Sequence, residues 1–392
     1  MIVRGAHLGY CTNIHPGERW AEVRQNLAER VTAVKAEVAP EGAFGVGLRL
    51  GARAAAELAA PGELGALATL LAERGLYVFS INGFPFGTFS GTRVKEQVYR
   101  PDWLEEARLT YTDQLAHLLS ALLPAGVEGS VSTVPGAFRE RCGEGAAAEV
   151  ADRLIRHAAT LCEIRQRTGR TIALALEPEP GCLVETTAEA IALFQRHLHT
   201  AAAAARLGAL TGLARGECEL SLRRHLGLCL DTCHAAVEFE DPDAAVDALS
   251  AAGIRIAKLQ LSAGLQVTRP DADDLRALEA FAEEVYLHQV VVRTGAALER
   301  HLDLPAALGR GPHGDEWRIH FHVPIFHAEL GRFRSTQAFL ARMLELQRAR
   351  TLSAHLEVET YTWDVLPPAL RRTDVTASIA RELRWVLGEL AR

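Results

Sequence analysis

TIALALEPEPGCLVET, residues 171–186, reads as a buried strand that ends in carboxylates. Ile172, Leu174 and Leu176 alternate strictly with Ala173, Ala175 and Glu177, so large apolar groups leave one side and small or acidic ones the other. Pro178, Pro180 and Gly181 then stop the strand. Thr186 and Glu189 have capping-box spacing just before Ala190, Ile191, Leu193 and Phe194, so a helix should follow. A strand thus carries Glu177 to its C-terminal end, where α/β proteins place reacting groups.

The same unit recurs in both directions. Residues 225–231, HLGLCLD, alternate leucine with small residues and end in Asp231, with His234 three residues on. Residues 256–262 set Lys258, Gln260 and Ser262 against Ala257, Leu259 and Leu261, and residues 355–361 set His355, Glu357 and Glu359 against Leu356 and Val358. Upstream strands are expected at 6–13, 44–50, 76–83 and 129–134, with Phe79 and Ile81 turned away from Ser80 and Asn82. Helical periodicity covers 20–38, 64–74, 104–123, 146–167, 187–213, 336–348 and 373–390, and Asp241-Pro242 should start a helix ending near Gly253. Residues 264–317 read as an irregular insertion with one helix at 274–286. Residues 318–326, RIHFHVPIF, make a ninth strand candidate.

Strand then helix, repeated, predicts parallel strands with crossover helices. No GxGxxG follows the first strand, which disfavours a dinucleotide-binding sheet. No linker divides the chain, so residues 1–392 are read as one (β/α)8 TIM barrel domain. A barrel needs eight strands, which assigns the His320 segment to an insertion between strands seven and eight.

Forty-eight per cent of the 392 residues are hydrophobic and 23% charged, enough for a large core. A net charge of −7 argues against general nucleic-acid binding. Seven cysteines without a CxxC pair point to reduced thiols, and with no signal-like or membrane-spanning run the expected location is cytoplasmic. Residues 83–103 form a long loop with Phe84, Phe86, Phe89, Arg93 and Lys95, a candidate lid over the substrate. A solvated basic stretch is the simpler account of its two cations.

The interior strand ends offer Glu177, Asp231, Gln260 and Glu359, with Glu179, His234, His322 and Glu357 close by in sequence. Oxygen and imidazole donors from separate strands suit a divalent cation such as Mn²⁺, Mg²⁺ or Zn²⁺. Such a cation would let several carboxylates stay ionised together. Simpler roles remain open: rim caps for Glu177 and Asp231, a structural imidazole for His322, a loop residue for His234. Glu357 competes with Glu359, while His7 and Asn13 read as structural. Cys229 should point into the barrel and Cys233 lie in a loop.

Glu177 in ALEPEP, Asp231 and His234 in CLDTCH, and Glu359 in LEVETYTW resemble the xylose-isomerase-like barrel superfamily of sugar isomerases, ketose epimerases and the endonuclease IV group. GYCTNIHPGE, SINGFPFG, VKEQVYRPDW, EPEPGCLVETT, CLDTCHAAVEFE, HFHVPIF and ETYTWDVLP, spread from Gly9 to Pro367, are similar to the EboE-type metabolite traffic proteins of the ebo cluster. The first resemblance implies one metal held by Glu177, Asp231, Glu359 and a strand-seven histidine. It also implies proton exchange with substrate by Glu177 and Glu359, and substrate contact by His234. Here strand seven offers Gln260 instead, so His322 is expected to complete the metal set. The implied activity is metal-dependent isomerisation or epimerisation of a polyol or sugar-like hydroxyketone. The alternatives are non-catalytic escort of a prenylated metabolite, with partner proteins from the same gene cluster, and endonuclease IV-like metal-assisted hydrolysis.

Overall fold

The computed structural model describes every residue except Arg372. Eight parallel strands form the barrel: Ala6–Tyr10, Phe44–Arg49, Leu76–Asn82, Gly129–Thr133, Ile172–Leu176, Leu226–Asp231, Ile256–Leu261 and His355–Val358. They are called strands one to eight below. A two-residue strand, Ile2–Val3, extends the sheet antiparallel to strand one. Strand one pairs with strand eight, and the ring closes against strand two through a bridge between Cys11 and Gly47. The two backbones crowd there: a Cβ on Gly9 would lie 2.3 Å from the Gly45 carbonyl oxygen.

The outward leucines and valines pack under the crossover helices, among them Glu106–Leu122, Ala146–Thr168, Pro242–Ala251, Gln337–Arg350 and Val375–Ala391. Leu174, Leu228, Leu259 and Val358 all belong to this apolar layer. The helix Thr187–Leu193 opens with the expected capping box, Thr186 Oγ1 accepting from the Glu189 amide. Two helices have no periodic signature. Ala52–Leu58 is ARAAAEL, with a single large apolar residue, and Arg215–His225 is highly charged, takes in His225 and buries only four side chains.

Strict alternation fails at two bulges. The register of strands two and three shifts between Val46 and Gly47, and Phe79 turns inward to stack on His7 and meet His355, 5.6 and 5.1 Å between ring centres. The register of strands six and seven shifts between Leu228 and Cys229, and Ala257 joins Ala173, Ala175 and Cys229 inside. Each bulge sends two consecutive residues to one face, which period-2 reading cannot anticipate.

The connection from strand seven to strand eight is ordered, not irregular. It holds a six-stranded antiparallel sheet of Ala297–His301, Val290–Thr294, Glu316–Ile319, Leu265–Thr268, Phe333–Ser335 and Glu329–Leu330, in that order. It also holds the helices Ala272–Leu278, shorter than the sequence suggests, and Leu304–Leu308, which was not foreseen. Val290, Val292, Trp317, Ile319 and Phe321 join the same apolar cluster as the barrel's outer layer. Of the ninth candidate, residues 318–326, only Arg318 and Ile319 are strand, as the end of Glu316–Ile319. Residues 320–324 run on without regular pairing into the barrel mouth.

Candidate metal centre

Glu177, Asp231 and Glu359 converge at the C-terminal mouth of the barrel, each almost wholly buried. Extensions of the parallel ladder deliver two of them. The Glu177 amide donates to Thr133 O and the Glu359 amide to Leu261 O, both at 3.1 Å. Asp231 ends strand six and caps the short helix Thr232–Val237, which also holds Cys233 in buried helix where a loop was expected. One oxygen from each carboxylate lies within 4.8 Å of the others.

The protein satisfies these groups unevenly. Asp231 Oδ1 accepts from the Cys233 amide (2.7 Å), the His234 amide (3.1 Å) and Ser262 Oγ (2.6 Å). Glu359 Oε1 accepts from Asn13 Nδ2 (2.7 Å) and Asn82 Nδ2 (3.3 Å). Asp231 Oδ2 and Glu177 Oε2 are buried with no hydrogen-bond partner among the described residues. His322 completes the pattern. The Glu359 carbonyl, 3.0 Å from Nδ1, can only accept, so Nδ1 carries the proton and the buried, unpartnered Nε2 presents a lone pair. His322 groups with Asp231 and His234 within 4.8 Å.

Buried polar atoms are rarely left unpaired. Two carboxylate oxygens and one imidazole nitrogen in that state, at a shared mouth, fit a divalent cation bound by mixed oxygen and nitrogen donors. His322→Ala should therefore weaken Mn²⁺ or Zn²⁺ binding at this centre by about 100-fold or more, since even outer-sphere partners are worth 10–100-fold. His234→Ala should weaken it less. Titration with native mass spectrometry as the readout would reverse the assignment if the two variants ranked the other way.

Charge follows the same geometry. Burial raises Glu177 well above the usual carboxylate range, and Glu359 and Asp231 add to the shift. Burial likewise raises Glu359, with Asp231 adding and His322 opposing. For Asp231 burial is outweighed by His234, His322 and the Ser262 hydroxyl, which together hold it low. Burial and mutual repulsion thus favour the protonated form of Glu177 over that of Asp231, and a cation would relieve both.

A second layer lies beside it. His234 Nδ1 donates to Pro178 O (2.9 Å), and its Nε2 meets His320 Nε2 at 3.0 Å. His320 Nδ1 donates to Gln289 Oε1 (2.7 Å), whose Nε2 donates to Pro180 O (2.9 Å) and Tyr99 Oη (2.8 Å). Both outer nitrogens are thereby fixed as donors, and the two Nε2 atoms face each other. Burial pushes both rings down in pKa. Asp231, 3.9 Å from His234 Nε2, opposes the shift of that ring alone. Tyr99 Oη donates to Glu179 at 2.7 Å, and burial lifts Glu179 to about 8.

Over this floor opens a cleft of about 510 Å³, part of it continuous with solvent. Glu177, Glu179, His234, His320, Glu359, Asn13 and Asn82 form its polar floor. The 83–103 loop arrives as the lid its composition suggests, bringing Phe84, Phe89 and Tyr99. Phe89, Tyr286 and Tyr361 pack with ring centres 5.0–5.4 Å apart, joining lid, insertion and strand-eight loop. The lid's cations do not form an anion site. Lys95 is buried against Asp303 (2.7 Å) and the Glu283 carbonyl, correcting the solvated reading, while Arg93 is exposed.

Gln260 lies in register with Asp231 and Glu357, and its Oε1 faces the Cys229 thiol at 3.9 Å rather than the carboxylates. Glu357 sits deeper, paired to Lys258 at 2.7 Å and bound by the Ser80 hydroxyl. Only glycine at 47 leaves it room, since a Cβ there would lie 2.0 Å from Glu357 Oε2. His320, Tyr99 and Gln289 escaped sequence reading as site residues, while Glu179 was named there only as a neighbour of the strand-end donors. His320 carried a signal, sharing its strand face with His322. Gln289 lies in the insertion, whose pairing was not foreseen.

No protein-family model and no curated protein sequence matches the chain. Solved structures do match in fold. A structure of L-ribulose 3-epimerase aligns over 98% of this chain and 95% of its own, with TM-score 0.50 and 16% identity. The probable 3-DHS dehydratase AsbF of Bacillus anthracis aligns over 97% and 98%, with TM-score 0.47 and 13% identity. A structure of the IOLI protein with a bound zinc atom aligns over 98% of each chain, with TM-score 0.45 and 13% identity. The first shares the TIM-barrel fold of this chain. Among the described residues no helix is long and apolar enough to cross a membrane.

Proposed function

We propose that the protein is a divalent-metal-dependent isomerase or epimerase of an uncharged, sugar-like hydroxyketone or polyol that carries an apolar group. The observation behind this is the set of three buried, unpartnered donors, Glu177 Oε2, Asp231 Oδ2 and His322 Nε2, at the mouth of a barrel. Glu177, Asp231, His322 and Glu359 would hold the cation. When bound, it supplies positive charge against the negative charge that develops on substrate oxygens. Glu177 and Glu359, both also lining the cleft, would take and return a proton at the substrate carbon. Asn13 and Asn82 hold Glu359 in place through its Oε1. His234, which lines the cleft, would steady a substrate hydroxyl.

The lining argues for the substrate class. Its one lysine or arginine, Lys95, is already paired with Asp303, so a phosphate would meet carboxylates without a free cation. The same shortage weighs against the phosphodiester reading. The aromatic roof suits an apolar substituent. It also favours a second reading, escort of a prenylated metabolite without turnover, in keeping with the likeness to EboE-type metabolite traffic proteins.

One experiment separates the two. The Mn²⁺-loaded protein is incubated in D₂O with a panel of neutral ketoses and prenylated hydroxyketones. Deuterium should enter the substrate at the carbon next to the carbonyl, read by mass spectrometry. Binding of a panel member without any exchange would leave only escort.

A further inference from the structure

Glu299, His301 and His313 form a compact group outside the barrel, on the insertion sheet. Glu299 and His301 are two apart on the strand Ala297–His301, so their side chains leave the same face. The register pairs them with Val292 and Val290, placing both at the edge of an apolar face. The loop before Glu316–Ile319 brings His313 beside them, and the three ligand atoms lie within 4.8 Å of one another. His301 Nε2 is 3.4 Å from Glu299 Oε1, and His313 Nε2 is 3.7 Å from Glu299 Oε2. Yet both nitrogens are buried and neither has a hydrogen-bond partner among the described residues.

The loop is built to hold His313 in this state. Its Nδ1 donates to Gly311 O at 2.7 Å, which leaves Nε2 as the unprotonated nitrogen. Trp317 Nε1 donates to the His313 carbonyl at 2.7 Å, and its ring meets the imidazole edge-on at 5.2 Å. Gly314 lets the loop press close, with φ +75° and Val292 Cγ1 only 2.4 Å from where a Cβ would stand. His301's side chain is 9% exposed.

We infer that Glu299, His301 and His313 bind a second divalent metal, Zn²⁺ or a cation of similar chemistry, independently of the barrel centre. Two imidazoles and one carboxylate make a three-ligand set that leaves a fourth position for water. Neighbouring ligands about 2.0–2.1 Å from a tetrahedral zinc stand roughly 3.3 Å apart, and His301 and His313 lie 3.4 and 3.7 Å from the two oxygens of Glu299. The Gly311 carbonyl is the outer partner that fixes the tautomer of a ligating histidine. Arg310, 3.2 Å from Glu299 Oε1 and largely exposed, is the competing cation, and it can swing into solvent.

Zinc equivalents per chain, counted by native mass spectrometry on the full-length protein, test this. The Glu177→Ala/His322→Ala protein, with a carboxylate and the imidazole of its barrel centre removed, should still bind one Zn²⁺, and adding His313→Ala should remove it. In the otherwise unaltered protein His313→Ala should lose one equivalent, and Arg310→Ala should bind more tightly. Co²⁺ in this site should show the visible absorption of tetrahedral cobalt. An unchanged zinc count in His313→Ala, or no zinc in the barrel-disabled protein, would overturn the inference. Neither result bears on the barrel centre.

Discussion

Glu177→Gln should lower epimerisation by the metal-loaded protein by about 10²–10⁴-fold, the usual worth of a positioned proton-transfer group. Glu359→Gln should do the same. Glutamine keeps the size and one ligating oxygen but cannot carry a proton in exchange. Bound metal must be counted in each variant, because both residues are also expected ligands. The informative signature is a split. If the two carboxylates serve opposite faces of one carbon, each single variant still exchanges the proton of the epimer that its remaining base faces. Deuterium washout from the two epimers, followed separately, should therefore fall in opposite patterns in Glu177→Gln and Glu359→Gln. Equal loss from both epimers in both variants would mean that one group does all the proton transfer.

Lys258→Met should destabilise the protein by about 3–5 kcal/mol, the cost of stranding one charge of a buried pair. Lys258 and Glu357 are both fully buried, 2.7 Å apart, one layer below the metal ligands. Burial alone would push the lysine down, but Glu357 outweighs it, with Cys229, Cys11 and Glu177 adding. Methionine fills the space of the aliphatic stem and leaves Glu357 with Ser80 alone. Urea unfolding should show the loss, and Lys258→Met/Glu357→Leu should recover most of it, because no orphan charge then remains. An unaltered urea midpoint in the single variant would mean that water or rearrangement satisfies Glu357. The pair's neighbours then explain less of the barrel's interior than its geometry indicates.

The alternation in residues 171–177, 225–231 and 355–361 was enough to place Glu177, Asp231 and Glu359 on inward faces at strand ends. Side-chain direction along a strand is a local property with a period of two, and a buried parallel sheet keeps it. The capping box at Thr186 and Glu189, the Asp241-Pro242 helix start and the count of eight barrel strands were legible for the same reason. The lid was legible too, since a long aromatic loop after a strand has few other places to go.

What lay beyond the sequence depends on pairing between distant segments. The inward turns of Phe79 and Ala257 come from register shifts, which only the neighbouring strand can impose. Asn13 reaches Glu359 across 346 residues of chain, so nothing local marked it as a partner of that carboxylate. Glu357 and Glu359 share a strand face and look equivalent in sequence. Lys258 from the next strand and the space over Gly47 engage one and leave the other at the mouth. His322 stands free for a ligand because the Glu359 carbonyl holds its Nδ1 proton, a contact between the insertion and strand eight. The sequence by itself thus determined which faces carry acids and imidazoles, because direction along a strand is local. The tertiary structure alone decided which of those groups are already satisfied and which remain open, because a partner is a matter of distance in space.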